Sequence, residues 1–228
     1  AGRGDIINVA VPSWRADVHG KADLVEEVMR ITGVDAVPET PLPRDTHVGM
    51  KVLTLSQIRR RLAKRSLAAR GMWEAVTWSF ISKSEAEAFG GGGTDLALAN
   101  PIASDLSNMR PSLLPGLLRG AQRNADRGQI DVALFEVGQV FHSDRPEGQE
   151  IRASGVRRNT AAFTGAGRAW DGAAPTVGVF DAKADALAVL EALGAPVDKL
   201  QITRDAPGWY HPGRSGVFRL GPKVLGHF

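Results

Sequence analysis

IDVALFEVGQVFHSD, residues 130–144, reads as two β-strands joined tightly at Gly138. Just upstream, SLLPGLLRGAQRNADRG (112–128) carries Pro115 where a first helical turn tolerates proline and Gly128 just past the end, the marks of a helix. Downstream come a strand in TAAFTG (160–165), a glycine-rich loop, a helix opened by Asp181 in DAKADALAVLEALG (181–194), and two strands around Gly221 and Pro222. Farther upstream, WEAVTWSFI (73–81) is a strand of β-formers, and Ser82 with Glu85 forms a capping box that starts a helix. Gly90 to Gly93 makes a loose loop, and TDLALANP (94–101) is a short strand ended by Asn100 and Pro101. Strands dominate, and the helices fall too irregularly for βαβ units. The expected class is α+β, an antiparallel sheet with helices against it.

The N-terminal part reads differently. DIINVAVPSW (5–14) is a strand ending at Pro12, and Asp23 to Ile31 is a short helix closed by Gly33. VPETPLPRD (37–45) then breaks regular structure with three prolines in seven residues, which places a domain boundary between 1–37 and 38–228. The chain starts without an initiator Met and GPKVLGHF stops inside an apparent strand, so it is expected to be a piece of a longer protein, truncated within its second domain.

With 228 residues, 43% hydrophobic and 23% charged, the chain is large enough to bury a substantial core. It has no cysteine, which excludes disulfides, thiolate zinc sites and cysteine nucleophiles. No apolar run approaches the ~20 residues that cross a bilayer, and a cytoplasmic location with no membrane partner is expected. The net charge of +3 matters less than its distribution. The densest basic run, QIRRRLAKRSLAAR (57–70), places Arg59, Arg60, Lys64 and Arg70 largely off an apolar stripe of Leu55, Ile58 and Leu62. Such a helix face is usually merely solvated, and without interleaved aromatic residues it offers no base-stacking platform.

Other signals fail on context. GAGRAW (165–170) lacks the third glycine and the strand, turn and helix of a dinucleotide site, and Ser215 lacks the glycine of a nucleophile elbow. His19, His47, His142, His211 and His227 show no ligand spacing.

RADVHGKADLVEEVMRITG (15–33) gathers Asp17, Asp23, Glu26 and Glu27 before Arg30. One reading is a well-started helix: Asp23 caps it with Glu26 as partner, the acids favour the positive helix end, and Arg30 pairs with Glu26. The other is a hard cation that relieves the repulsion of four carboxylates.

VPSWRADVHGKADLVEEVMRITGVDAVP (11–38) resembles the segment ending a winged-helix-like domain in the β subunits of bacterial phenylalanyl-tRNA synthetases. NPIASDLSNMRPSLLPGLL (100–118), LFEVGQVF (134–141), FDAKADALAVLEALG (180–194) and YHPGRSGVFRLGPKVLGHF (210–228) resemble, in order, the catalytic-like core that follows it. The resemblance implies a class II aminoacyl-tRNA synthetase-like core that has lost catalysis, so that no catalytic or cofactor-binding residue is expected. It also implies a heterotetramer with a catalytic α subunit that joins phenylalanine to its tRNA with ATP, tRNA(Phe) engaged through the complete enzyme, and Mg²⁺ on Asp17, Asp23, Glu26 and Glu27. An active class II core carries an arginine for the α-phosphate, where a guanidinium binds oxyanions bidentately. LFEVG instead offers Phe135 and Glu136 with no arginine beside them, and the glycine-rich ATP motif ending in glutamate and arginine has no counterpart. The resemblance also implies that the helix 55–70 and strand 73–81 occupy the place of the class II dimerisation element. Two alternatives belong to other classes: a stand-alone nucleic-acid-binding module, marked by salt-dependent binding, and a magnesium-dependent hydrolase, which would need a second acidic cluster.

Overall fold

The computed structural model describes residues 4, 6–43, 49, 51–163, 168–170 and 172–228. The chain divides into two compact units, Ala1–Lys51 and Val52–Phe228.

In the first unit, helix α1 (Lys21–Thr32) runs from Gly20 to Gly33, whose φ of 97° closes it as expected. A single 3₁₀ turn, Val34–Ala36, follows. The expected strand at 5–14 is absent over its described residues, 6–14. A strand exists only through pairing, and among the described residues none lies alongside; Ile6, Ile7 and Val9 are exposed.

The second unit is mixed α and β. Helix α2 (Leu55–Ala69) starts at Thr54, whose hydroxyl accepts from the Gln57 amide while the Gln57 side chain returns to Thr54. Strands β1 (Trp73–Glu74) and β2 (Phe80–Ile81) replace the single strand expected over 73–81. Helix α3 (Lys83–Ala88) has the Ser82–Glu85 capping box. The strand expected at 94–101 is a 3₁₀ turn, Thr94–Leu96, with one isolated bridge from Ala97 to Asn108. Next come β3 (Asn108–Met109) and α4 (Leu114–Asp126), with Pro115 in its first turn and Gly128 at φ 87° beyond it. β4 (Val132–Phe141) and β5 (Gln149–Arg158) are each ten residues long. The pair β6 (Arg168–Ala169) and β7 (Gly172–Ala173) precedes α5 (Val179–Ala192). β8 (Gln201–Thr203), β9 (Val217–Leu220) and β10 (Lys223–His227) finish the chain, the last two joined at Gly221.

Several small sheets thus replace the one antiparallel sheet expected. β4 joins β5 antiparallel and β1 parallel, β8, β9 and β10 form a second antiparallel sheet, and β2–β3 and β6–β7 are two-stranded. Residues 130–144 hold one continuous strand, not two. Gly138 makes no turn: a Cβ there would stand 2.7 Å from the Arg110 guanidinium and 2.9 Å from the Glu136 carboxylate, so the glycine admits a close approach in mid-strand. The chain reverses later, at 142–148. β5 is followed by Asn159, in left-handed conformation (φ 56°), whose side-chain amide donates to Asp131. The strand expected at 160–165 does not form over 160–163, and its remainder, like the G-x-G of GAGRAW and His47, lies outside the described residues.

The β4–β5 sheet is covered on both faces. Ala133, Phe135 and Val137 of β4 pack with Ala63 and Leu67 of α2 and Val189 of α5. Leu134 and Val140 pack with Leu113 and Leu117 at the start of α4. Alternate residues enter opposite cores, which is why this strand is apolar throughout.

Candidate functional site

The acidic stretch of the first unit is organised by arginines and amides. Asp23 does not cap α1; Gly20 holds that position, and Asp23, three residues on, reaches back so that one oxygen accepts from the His19 and Gly20 amides, both at 2.8 Å. Those amides, His19 first, hold its carboxyl below the ordinary range. This is the returning half of a capping box, since the glycine cap has no side chain to offer the amides of the first turn, and Glu26 has no part in it. Arg30 pairs with Glu27 at 2.7 Å, not with Glu26, which stays exposed.

Arg15 joins Asp17 to Glu27. Its Nε and Nη2 donate to the two oxygens of Asp17 at 2.9 and 2.6 Å, and Nη2 also donates to Glu27 Oε1 at 2.5 Å. Arg30 takes Glu27 Oε2. The Arg15 hydrogen bonds are the leading cause that lowers both carboxyls to about 2, with Arg30 contributing at Glu27; the same contacts raise the Arg15 guanidinium. Of the four expected ligands, Asp17 and Glu27 converge on one cationic group, Asp23 faces loop amides, and Glu26 makes no ion pair among the described residues. No three histidine or acidic side chains among those residues form a metal-holding group. The donor set is all oxygen, as a hard divalent cation requires, so the residue types suit Mg²⁺, while the Arg15 guanidinium takes the place between Asp17 and Glu27.

The second unit holds a buried polar centre on β4. Glu136 and Arg110 are each 4% exposed. Arg110 Nη1 lies 2.9 Å from Glu136 Oε1 and donates to Thr77 Oγ1 at 2.9 Å, while Arg110 Nε donates to the Gln139 carbonyl at 2.9 Å. Thr77 Oγ1 donates to Glu136 Oε2 at 2.6 Å. Gly116 of α4 allows this closure, since a Cβ there would sit 2.3 Å from Thr77 Oγ1. An arginine therefore does stand beside Glu136, supplied from residue 110, a contact the local sequence LFEVG conceals. The cue available was chemical: a glutamate inside an apolar strand demands a buried cation. Its guanidinium is occupied by Glu136, Thr77 and a carbonyl. A hollow of about 130 Å³ between 76–81 and α4, flanked by Trp78, Arg119 and Arg123, is smaller than the roughly 300–1,000 Å³ of ligand pockets.

A second buried cluster ties elements together. Asp185 of α5 accepts from Arg70, after α2, and Arg157 of β5, each at 2.5 Å, and Arg157 also donates to the Arg70 and Ala161 carbonyls. Arg70 is thus part of a structural clasp, and Lys64 pairs with Glu74. The buried stripe of α2 is Ala63 and Leu67; Leu55, Ile58 and Leu62 are 62%, 36% and 36% exposed. Trp73, Val76 and Trp78 are also exposed.

Comparison with known proteins gives a consistent result. Residues 39–228 match the family model described as the phenylalanyl tRNA synthetase beta chain CLM domain, and residues 1–34 that of the tRNA synthetase B5 domain. The chain is 62% identical over 224 residues to a phenylalanine–tRNA ligase beta subunit of Brucella abortus, covering 98% of this chain, and 63% identical over 229 residues to that of Rhodopseudomonas palustris, covering 100%. It spans 28% of the length of either relative. The crystal structure of pyrrolysyl-tRNA synthetase from Desulfitobacterium hafniense superposes with a TM-score of 0.52 at 14% identity, over 90% of this chain and 63% of that one, a likeness of fold alone. By the match over most of its length, the chain belongs to the phenylalanyl-tRNA synthetase β-chain family.

Proposed function

We propose that this chain is a non-catalytic section of a phenylalanine–tRNA ligase that supports assembly with a catalytic α subunit. In this reading residues 1–37 close a winged-helix-like domain bearing a Mg²⁺ site, and 38–228 are a class II-like core. The supporting observation is the Arg110 guanidinium, which is buried against Glu136 and so cannot reach a phosphate. The exposed apolar side chains of α2 and the segment after it offer a face for the α subunit. Asp17, Asp23, Glu26 and Glu27 would hold Mg²⁺, whose positive charge would draw the four carboxylates together. The whole enzyme would be a cytoplasmic heterotetramer that charges tRNA(Phe) with ATP; no helix among the described residues is long and apolar enough to cross a membrane.

Co-expression with a phenylalanine–tRNA ligase α subunit tests this. The chain is expected to co-purify with it, and alone to give no phenylalanine-dependent pyrophosphate exchange. Exchange by the chain alone, with mass spectrometry excluding α subunit, would overturn the reading.

A further inference from the structure

Every carboxylate oxygen of Asp17 and Glu27 already accepts a hydrogen bond from an arginine: both Asp17 oxygens and Glu27 Oε1 from Arg15, and Glu27 Oε2 from Arg30. The Arg15 side chain is 30% exposed and that of Glu27 28%, so the contact is partly withdrawn from water. Asp23 differs, since one oxygen is committed to two amides and neither accepts from an arginine.

We propose that Arg15 is an internal counter-ion that a divalent cation must displace, so that metal binding and release of the Arg15 guanidinium are one exchange. A metal ion and a guanidinium both need the carboxylate lone pairs and negative charge, and they cannot both take the same oxygen at full strength. Without metal, Arg15 holds Asp17 against Glu27 and suppresses their repulsion. With metal, the guanidinium gives up Asp17 Oδ2 and Glu27 Oε1, the two oxygens that its Nη2 bridges. Arg15 is therefore a positioning residue that weakens metal affinity and keeps the loop 15–20 attached to α1 when the metal is absent. Arg30 contributes less, because it takes one oxygen and its side chain is 62% exposed.

The inference rests on the magnesium reading above, and its test separates the two. Mg²⁺ alone is titrated by calorimetry into the assembled ligase carrying native Arg15, Arg15→Gln or Arg15→Lys. Removing a partly exposed ion pair is expected to tighten Mg²⁺ binding roughly two- to fivefold in Arg15→Gln. Arg15→Lys keeps the charge but loses the planar fork that spans several oxygens, so it is also expected to tighten binding, by less. Lysine behaving as arginine would mean that only net charge matters and would overturn the exchange. Weaker binding in Arg15→Gln would overturn it too, making Arg15 an organiser of the site. Equal affinity in all three proteins would leave magnesium standing and the exchange refuted, whereas no Mg²⁺ binding in any would remove the magnesium reading and the exchange with it. A second readout needs no variant: the Arg15 Nε–H resonance of the native protein should shift and exchange faster with water as Mg²⁺ is added.

Discussion

Arg110 and Glu136 show what one pair of side chains decides. Each is charged, 4% exposed and hydrogen-bonded on several sides, so the pair is stable only while both members remain. Replacing Arg110 with Ala strands a buried carboxylate, and about 3–5 kcal/mol of stability should be lost, read as a lower denaturant midpoint with little change in slope. Asp17 and Glu27 behave differently because they lie near the surface. Their folded carboxyls titrate at about 2, below ordinary values of 3.8 and 4.5. A lowered folded value means a contribution present above the unfolded value and lost as pH falls through the folded one. The Arg15 links should therefore be complete above about pH 4.5 and dissolve toward pH 2. Carboxyl carbon resonances followed by NMR check this, and midpoints near 4 for both residues would show that the links do not form.

At the scale of elements, helix α2 carries two apolar stripes with separate roles. Ala63 and Leu67 pack on β4, while Leu55 is 62% exposed and Ile58 and Leu62 are half-buried at 36%. Because the inner stripe supports folding, a charge on the outer one should spare it: Ile58→Asp is expected to keep native circular dichroism at a cost of about 1–2 kcal/mol, since the side chain is half-buried. The same change should reduce α-subunit capture at least tenfold if this face is the interface. Retained capture with an intact fold would place the contact elsewhere, and loss of the fold would mean that Ile58 belongs to the core. Strand β4 illustrates the opposite case, a single element serving two cores, with Phe135 against α2 and α5 and Val140 against α4. Its continuous apolar run and central glycine imitate a hairpin, since periodicity cannot report a strand buried on both faces.

Across the whole molecule, local chemistry and long-range packing divided the outcome. Capping and termination signals act within four residues, and they are legible: Ser82 with Glu85, Pro115, Gly33, Gly128 and the turn at Gly221 all stand where the sequence puts them. The family was legible too, because long motifs in a fixed order carry it, and the match over 39–228 agrees. Strand pairing was not. The segments at 6–14 and 94–101 have strand-like composition, yet neither forms a strand, because pairing depends on a partner remote in the chain. The acidic stretch was legible as a cluster of carboxylates but not in its contacts: Arg15 and Arg30 chose Asp17 and Glu27, while Asp23 turned to the loop. Glu136 found Arg110 from 26 residues away in the chain, and Asp185 found Arg70 and Arg157 across separate elements. The sequence by itself determined the helices, their glycine stops and the family, for these rest on neighbouring residues and ordered motifs; the starts of α1 and α5 fall at Gly20 and Gly178, three residues before the aspartates expected to open them. Only the tertiary structure decided which charges are paired and which apolar stripe is buried, because both follow from desolvation, and desolvation is set by what packs on top.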